Sequence, residues 1–359
     1  MSPAALSQET STLRIVFCGT PQFAVPTLKY LLVKSDFEVI AVITQPDRPR
    51  GRGQQVTVAP VKEAALAANL PVHQPEKIRA PEVQQLLEKL APDVIVIIAY
   101  GQIIPPRLLT IPKHGWINLH ASLLPKYRGA APINWAIVNG GTRTGLTTMR
   151  IDAGMDTGDI LLQREMEIGR TETAPELTAR MSEAGAPLME ETLRGLAAGS
   201  IIPQPQNHDQ ATVAPILKKE DGRIDWNRSA QEIYNRMRGL APWPGAYTTF
   251  RGQTGHLWAE PAGEDLALDD EARQTDLGPG TLFVAKKAVL VSCGSPRSTR
   301  VILSEAKDLN RSDSTNDPPG KTLLRLQSVK LEGRKQVTAF EFANGARINA
   351  GERFGDKEC

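Results

Sequence analysis

The sequence of 359 residues predicts a doubly wound α/β domain with a mostly parallel sheet, followed by a small antiparallel β-barrel. Two observations predict this architecture. Over residues 1–205, continuous apolar runs rich in Val and Ile alternate with helical segments, which is typical of parallel strands covered on both faces. Over residues 220–359, short alternating strands are separated by turn residues, which is typical of a barrel. Residues 206–219 lack periodicity and are predicted to form a linker.

The first domain opens with a buried strand over 13–19, LRIVFCG, which ends at a glycine. Thr20 is then suited to cap a helix, and Pro21 suits the first helical position. The same alternation continues along the chain. We predict further strands over 37–44, near 72, over 93–101 and over 115–120, and helices over 60–70 and 81–90.

The second part begins with a predicted helix over 229–240, SAQEIYNRMRGL. Six short strands should follow it, over 246–250, 254–260, 280–285, 288–294, 323–331 and 336–345. The mostly polar stretch 295–321 breaks this rhythm and is predicted to be a long loop excursion within the barrel.

Composition excludes several classes of protein. The three cysteines are widely spaced and form no CxxC motif, so we expect neither a disulfide framework nor a structural zinc site. We expect the protein to reside in a reducing compartment. The N-terminal stretch has no signal-peptide pattern, and the longest apolar run, 94–100, is too short to span a bilayer. We therefore predict a cytoplasmic protein. Because the net charge is only +2, a nucleic-acid partner would have to bind a local basic patch.

The end of the strand 115–120 carries two polar side chains, Asn118 and His120. Residues two apart on a strand point to the same face, and open α/β sheets bind their ligands at the carboxyl ends of the strands. Taken singly, His120 is typical of a core histidine whose ring nitrogens are hydrogen-bonded, and Asn118 is typical of a residue that anchors a loop. Their pairing, followed by a loop broken by proline and glycine, favours a functional site.

A second polar segment, 149–163, is a glycine-punctuated loop that carries Asp152, Asp156 and Asp159. Acids on such a loop are commonly solvated turn residues, and their pattern does not match a calcium loop, so no metal is expected. A histidine held by an aspartate can stabilise an oxyanion, and an asparagine amide can donate to the same oxygen. The combination suits acyl transfer to an external amine, although spacing alone does not rank Asp152 against Asp156.

Four segments together resemble the methionyl-tRNA formyltransferase family of folate-dependent formyltransferases. They are FCGTPQFAVPTL at 17–28, ITQPDRPRGRG at 43–53, INLHASLLPKYRGAAPINWAI at 117–137 and IDAGMDTGDIL at 151–161. The resemblance covers nearly the whole chain and implies a Rossmann-like formyltransferase domain followed by an OB-like, tRNA-binding domain. It implies formyl transfer from 10-formyltetrahydrofolate to the α-amino group of methionyl-initiator tRNA, for translation initiation, without a metal.

The resemblance also implies roles for individual residues. Asn118, His120 and Asp156 would be the catalytic trio. The stretch Ser122, Leu123, Leu124 and Pro125 would line the folate site. Arg48, Arg50 and Arg52 lie in the basic loop 45–55, which would bind the tRNA acceptor arm, with Arg52 at the family's key arginine. Without the resemblance, this loop reads as a solvated basic turn.

Other functions remain open at this point. A formyltransferase could act on a small amine such as glycinamide ribonucleotide or an amino-sugar nucleotide; the glycinamide enzyme would lack a second domain, and the sugar enzymes would lack the basic loop. The hydrolase part of a formyltetrahydrofolate dehydrogenase would be followed by a dehydrogenase domain. A non-catalytic nucleotide- or RNA-binding protein is a reading of another class, but FCGTPQFA lacks the GxGxxG fingerprint.

Overall fold

The computed structural model of the protein describes residues 12–50, 55–263, 278–286, 288–294, 323–349 and 351–355. These residues form two compact units. The first comprises the described parts of Met1–Ile133, Arg143–Ile168 and Glu176–Ile216, and the second those of Asn134–Thr142, Gly169–Pro175 and Leu217–Cys359. Residues 206–216, in the stretch predicted to be a linker, therefore belong to the first unit.

The first unit is built on a seven-stranded sheet. The strands of this unit are β1 Leu13–Gly19, β2 Phe37–Ile43, β3 Arg48–Arg50, β4 Gln55–Thr57, β5 Val72–His73, β6 Val94–Ile98, β7 Trp116–His120, β8 Arg128–Gly129, β9 Arg143–Arg150, β10 Ile160–Glu167 and β11 Val213–Ala214. The sheet order is β10-β9-β7-β6-β1-β2-β5. Five strands from β7 to β5 pair in parallel, whereas β9 and β10 pair antiparallel at one edge. The predicted mostly parallel sheet is confirmed.

The helices follow the strands in the predicted alternation. They are α1 Val25–Leu32, α2 Pro60–Ala67, α3 Pro81–Leu90, α4 Pro106–Leu109, α5 Pro132–Val138, α6 Ala174–Ala197, α7 Ala230–Gly239 and α8 Ala339–Ala346. The predicted cap at Thr20 is wrong, because a short 3-10 helix, Gln22–Ala24, precedes α1 and has no side-chain cap. The Thr20 hydroxyl instead accepts a hydrogen bond from Gln45 N (3.3 Å), which ties together the chain segments that follow β1 and β2.

Strand β7 presents its two faces to different surroundings. Leu119 is buried and packs against α6 at Gly185, where an added Cβ would lie only 2.4 Å from Leu119 Cδ2. Trp116, Asn118 and His120 point to the opposite face. Trp116 anchors that face in the core and donates from Nε1 to Leu108 O (2.7 Å). Helix α6 therefore closes the face of Leu119 and does not cover the two polar side chains.

The second unit contains an antiparallel sheet. Its strands are β12 Tyr247–Phe250, β13 Gln253–Pro261, β14 Leu282–Val284, β15 Val289–Ser292, β16 Leu323–Leu331 and β17 Val337–Thr338. The order is β12-β13-β16-β15-β14, and β17 pairs with β16. Neighbouring strands are antiparallel throughout, as predicted. Helix α7 is also confirmed; its Ser229 cap accepts from Glu232 N (3.2 Å), and the Glu232 carboxylate accepts from Ser229 N.

The predicted strand over 336–345 is wrong, because most of it forms α8. Thr338 accepts from Glu341 N (3.3 Å) and the Glu341 carboxylate accepts from Thr338 N (2.8 Å), a reciprocal cap that starts a helix. Ala339, Phe342 and Ala343 are buried at helical spacing. The predicted excursion 295–321 lies outside the described residues.

Two cysteines are described, Cys18 and Cys293. Both are buried free thiols, and burial raises the pKa of each thiol well above its usual range, so both are unreactive core residues. Across the described ranges, no helix has the length and apolar character needed to cross a membrane. Within the same ranges, no cluster of three or more His, Cys, Asp or Glu side chains has a geometry that could hold a metal ion.

Candidate active site

The structure brings His120 and Asp156 together. His120 ends β7, and Asp156 lies in the loop that joins β9 to β10. His120 Nδ1 is 3.6 Å from Asp156 Oδ2, and the two side chains are only 7% and 18% exposed. The ring and the carboxylate therefore form a close and largely buried pair.

The His120 ring is held from its other nitrogen. Nε2 lies 2.9 Å from Tyr127 O, and because a carbonyl oxygen only accepts, Nε2 carries the proton and donates it. Nδ1 is therefore the nitrogen that is free to exchange a proton, and it faces Asp156. The pair is thus oriented for proton transfer or charge stabilisation at one defined atom.

Asp156 is fixed both at its carboxylate and at its backbone. Gly129 N donates to Oδ2 (2.8 Å), and Gln206 Nε2 donates to the Asp156 carbonyl oxygen (2.9 Å). Oδ1 has no hydrogen-bond donor within the part of the chain that the structure describes. Gly129 must be glycine, since its φ is +117° and an added Cβ would lie 2.7 Å from Ala214 O.

Asp152 has a different role from Asp156. Its exposed carboxylate accepts from Thr157 Oγ1 (2.7 Å) and from Gly154 N (3.0 Å), so it organises its own loop. The structure thereby separates two acids that sequence spacing leaves equivalent. Only Asp156 of the two is an ion-pair partner of His120 among the described contacts.

Asn118 lies on the same face of β7 as His120 and is half-buried. Its backbone pairs with Ile97 of β6 on one side and with Met149 of β9 on the other. Among the described residues, none hydrogen-bonds to its side-chain amide. Since two strand residues span about 7 Å, the Asn118 amide and the His120 ring can reach one small group between them.

The stretch Ser122–Pro125 follows His120 directly. Ser122 and Leu124 are buried, and Ser122 Oγ donates to Lys126 O (2.6 Å), so these two side chains shape the loop. Thr147 Oγ1 donates to Ser122 O (2.7 Å) and accepts from Leu124 N (3.1 Å), which fixes the loop to β9. Leu123 and Pro125 are partly exposed. A ligand would therefore meet these two side chains or the backbone.

The basic segment is only partly described. Arg48 and Arg50 bound β3, which pairs antiparallel with β4. Arg48 is exposed, and its Nη2 lies 3.5 Å from Glu76 Oε2, a weak surface pair that a phosphate can replace. Arg52, predicted to bind tRNA, lies outside the described residues.

An open cleft of about 780 Å³ lies at the segments that follow β1, β2 and β6. Thr20, Gln45 and Ala99 line it, as does Arg48. The strands that pair with β1 on its two sides lead into this cleft, which is the usual ligand position in an open α/β sheet. Asn118 is not a lining residue, but it pairs with Ile97 of β6, two residues before Ala99.

Sequence reasoning missed the residues that support the trio. Tyr127 and Gly129 contact His120 and Asp156 through backbone atoms, which leave no signature in a side-chain pattern. Arg128 lies in the loop that directly follows β7, and this position could have marked it as part of the site. Gln206 carried none, because it lies in a polar stretch that reads as a linker.

Comparison with known proteins gives a consistent result. The family model described as formyl transferase matches residues 13–193, and the model described as formyl transferase, C-terminal domain, matches 216–347. A relative from Solibacter usitatus, named methionyl-tRNA formyltransferase, is 49% identical over 96% of this chain and 99% of its own length. One of the same name from Geobacter sulfurreducens is 45% identical over 96% and 97%.

Solved structures agree on the fold. An N-formyltransferase from Helicobacter canadensis, solved with folinic acid and dTDP-3-aminofucose, superposes with a TM-score of 0.57 over 88% of this chain and 99% of its own. Its sequence identity to this chain is 17%, so the likeness concerns the fold alone.

Proposed function

The chain belongs to the methionyl-tRNA formyltransferase family, and we infer that it transfers a formyl group from 10-formyltetrahydrofolate to the α-amino group of methionyl-initiator tRNA. The observation that carries this conclusion is the high identity to relatives of that name across nearly the full length of both chains. The reaction supplies formylmethionyl-tRNA for translation initiation, and we place it in the cytoplasm.

The residues at the end of β7 can perform this transfer. The α-amino nitrogen of the acceptor attacks the formyl carbon, and the carbonyl oxygen becomes an oxyanion. The Asn118 amide, which has no partner among the described residues, donates to this oxygen. His120 in its protonated form donates from Nδ1, because Nε2 is engaged by Tyr127 O and the 3.6 Å between Nδ1 and Asp156 Oδ2 exceeds hydrogen-bond distance.

Proton movement completes the reaction. The attacking nitrogen must lose a proton, and Asp156 Oδ1 is available to accept it, directly or through water. The bond between the formyl carbon and N10 of the folate then breaks, and N10 takes up a proton. The products are the formylated amine and tetrahydrofolate, so atoms and charge balance. The α-amino group titrates near pH 7.7–8.0, so an appreciable neutral fraction is available to attack at cellular pH.

The folate donor is placed beside the loop Ser122–Pro125. Support comes from the position of the loop, which follows His120 directly and presents Leu123 and Pro125 as partly exposed apolar surface. Solved relatives of the same fold include a sugar 3N-formyl transferase with 5-N-formyl-THF and HypX from Aquifex aeolicus with tetrahydrofolic acid.

The tRNA acceptor arm is placed along the basic segment that carries Arg48, Arg50 and Arg52. Arg48 supports this placement, because it is exposed, weakly paired and on the rim of the cleft beside β6. For the rest of the tRNA we propose the second domain, residues 220–359, as an OB-like barrel. Its antiparallel sheet is compatible with that fold.

Replacing Arg52 by alanine should remove a charge-assisted contact to a phosphate or a base edge, which is worth about 1–3 kcal/mol of binding free energy. The value of kcat/KM for methionyl-tRNA should fall by the corresponding factor. Folate affinity should not change, since we assign the folate to the loop Ser122–Pro125 and not to Arg52. The slope of log affinity against log salt should become shallower by about one for each phosphate contact removed. Steady-state kinetics at several salt concentrations would measure both effects.

Arg14→Ala is the matched control, because Arg14 lies in β1 at the amino end of the sheet, close to Glu38. It should leave both the rate and the salt slope unchanged. Equal activity of Arg52→Ala and wild type on methionyl-tRNA, at low and at moderate salt, would contradict the proposed acceptor site.

A further inference from the structure

We propose that Gln206 is a positioning residue for Asp156, and that the buried Arg128 holds Gln206 in place. The inference rests on the proposed function, because it concerns the carboxylate assigned there to proton transfer. Neither residue is among those that line the open cleft. Both act on the geometry of the site through Asp156.

The Gln206 amide is completely satisfied by hydrogen bonds. The side chain is 6% exposed, and Nε2 donates to the carbonyl oxygens of Asp156 (2.9 Å) and Gly158 (2.7 Å). Oε1 accepts from Arg128 Nε (3.1 Å) and Nη2 (2.6 Å). An amide has two donor protons and two acceptor sites, and all four are used. No spare group is left to bind a substrate, so the side chain acts on structure.

The backbone at Asp156 needs such support. Its φ is +53°, a left-handed conformation that non-glycine residues seldom adopt and that costs free energy unless neighbours impose it. Gln206 bridges the carbonyl oxygens of Asp156 and of Gly158, two residues later, and so holds the backbone at and directly after this residue. If the turn relaxes, the carboxylate swings away from His120 Nδ1. The side-chain amide therefore controls where the carboxylate lies.

Arg128 is an unusual partner for a neutral amide. It is 8% exposed, and within the described residues no carboxylate pairs with it; its other side-chain contact is His208 Nδ1, 3.1 Å from Nη2. A buried charge without a counter-ion is costly, so the arrangement does not serve ion-pair stability. The planar guanidinium instead clamps Oε1 with two donors, which fixes the amide plane of Gln206.

The same short segment contacts both catalytic side chains. Tyr127 O accepts from His120, and Gly129 N donates to Asp156, on either side of Arg128. Thr212 supports this segment from the returning chain, with Oγ1 accepting from Tyr127 N and its carbonyl oxygen from Arg128 N, both at 2.8 Å. The stretch 206–214 therefore supports the segments that hold His120 and Asp156.

Two variants separate the two halves of the Gln206 contact. Gln206→Leu removes all four hydrogen bonds, whereas Gln206→Glu keeps acceptors for Arg128 but cannot donate to the Asp156 and Gly158 carbonyls. Both should lower kcat for methionyl-tRNA by roughly 10²-fold, because a misplaced catalytic group costs about that much. KM for tRNA and for 10-formyltetrahydrofolate should stay within error. Gln204→Leu, at an exposed neighbouring position, should match wild type.

A double-mutant cycle with Asp156→Asn distinguishes positioning from general stability. If Gln206 acts through the carboxylate, Gln206→Leu should cost little more once that carboxylate is gone, as coupled residues are non-additive. Single-turnover rates of the four proteins measure this. Independent, multiplicative losses, raised KM values, or Gln206→Glu with full kcat would overturn the proposal.

Failure of the proposed function would look different. Wild type would then fail to formylate methionyl-tRNA while formylating a small amine, and the same cycle would be run on that amine. Coupling between positions 206 and 156 on the small amine would uphold the positioning role, and its absence there would reject it. Gln206→Glu guards against misfolding, since it retains the Arg128 contact that buries the side chain.

Discussion

Replacing Asn118 by alanine should lower kcat for the formylation of methionyl-tRNA by about 10²- to 10³-fold, and His120→Ala should do the same. Each change removes a donor that we assign to the oxyanion, and loss of such a donor costs about 2.7–4 kcal/mol in the transition state. Asn118 and His120 lie on one face of β7, and His120 is fixed by its bond to Tyr127 O. Single-turnover rates with saturating folate and tRNA would isolate this step.

Asn118→Asp is the sharper variant at the same position. It keeps the size of the side chain but replaces the donating amide by a carboxylate, so it should be at least as damaging as alanine. Binding of tetrahydrofolate should be nearly normal in every variant, since Asn118 is assigned to the transition state alone. Near-normal turnover in Asn118→Ala and His120→Ala would remove both from the mechanism.

Asp156→Asn should lower kcat by about 10²- to 10⁴-fold, the range for loss of a general base or acid. The variant keeps the shape of the side chain, and its amide oxygen can still accept from Gly129 N. It loses the negative charge beside His120 Nδ1 and the carboxylate oxygen to which we assign the amine proton. Pre-steady-state quench experiments would measure the loss in the chemical step.

Asp152→Asn provides the matched comparison on the same loop. Asp152 contacts only Thr157 and Gly154 among the described residues, so its loss should cost less than about 10-fold. A larger loss from Asp152→Asn than from Asp156→Asn would reverse the assignment of the two acids. It would also remove the catalytic role that we assign to the His120–Asp156 pair.

The structural features that depend on periodicity could be predicted from the sequence. Continuous apolar runs predicted the parallel strands, and the spacing of Asn118 and His120 predicted a shared face on β7. Leu119, between these two residues, points to the other face and packs against α6. Alternation along one strand is a local property, so it can be read from consecutive residues.

Other parts depend on long-range contacts and could not be predicted. Thr20 reads as a helix cap, but its hydroxyl binds Gln45 N after the sheet has formed. Gln206 approaches Asp156 across 50 residues of chain, and nothing near Gln206 in the sequence marks that contact. At 339–346 the local signal was present, since Thr338 and Glu341 form a capping box, but aromatic alternation suggested a strand.

We propose that this chain formylates methionyl-tRNA by means of Asn118, His120 and Asp156. The most direct measurement is a competition assay: purified protein with 10-formyltetrahydrofolate, methionyl-initiator tRNA and an excess of amino-sugar nucleotide and glycinamide ribonucleotide. We expect the formyl label to appear on the tRNA and not on the small amines. With the His120→Ala variant, we expect no label on the tRNA. Label on a small amine in preference to methionyl-tRNA would contradict the claim.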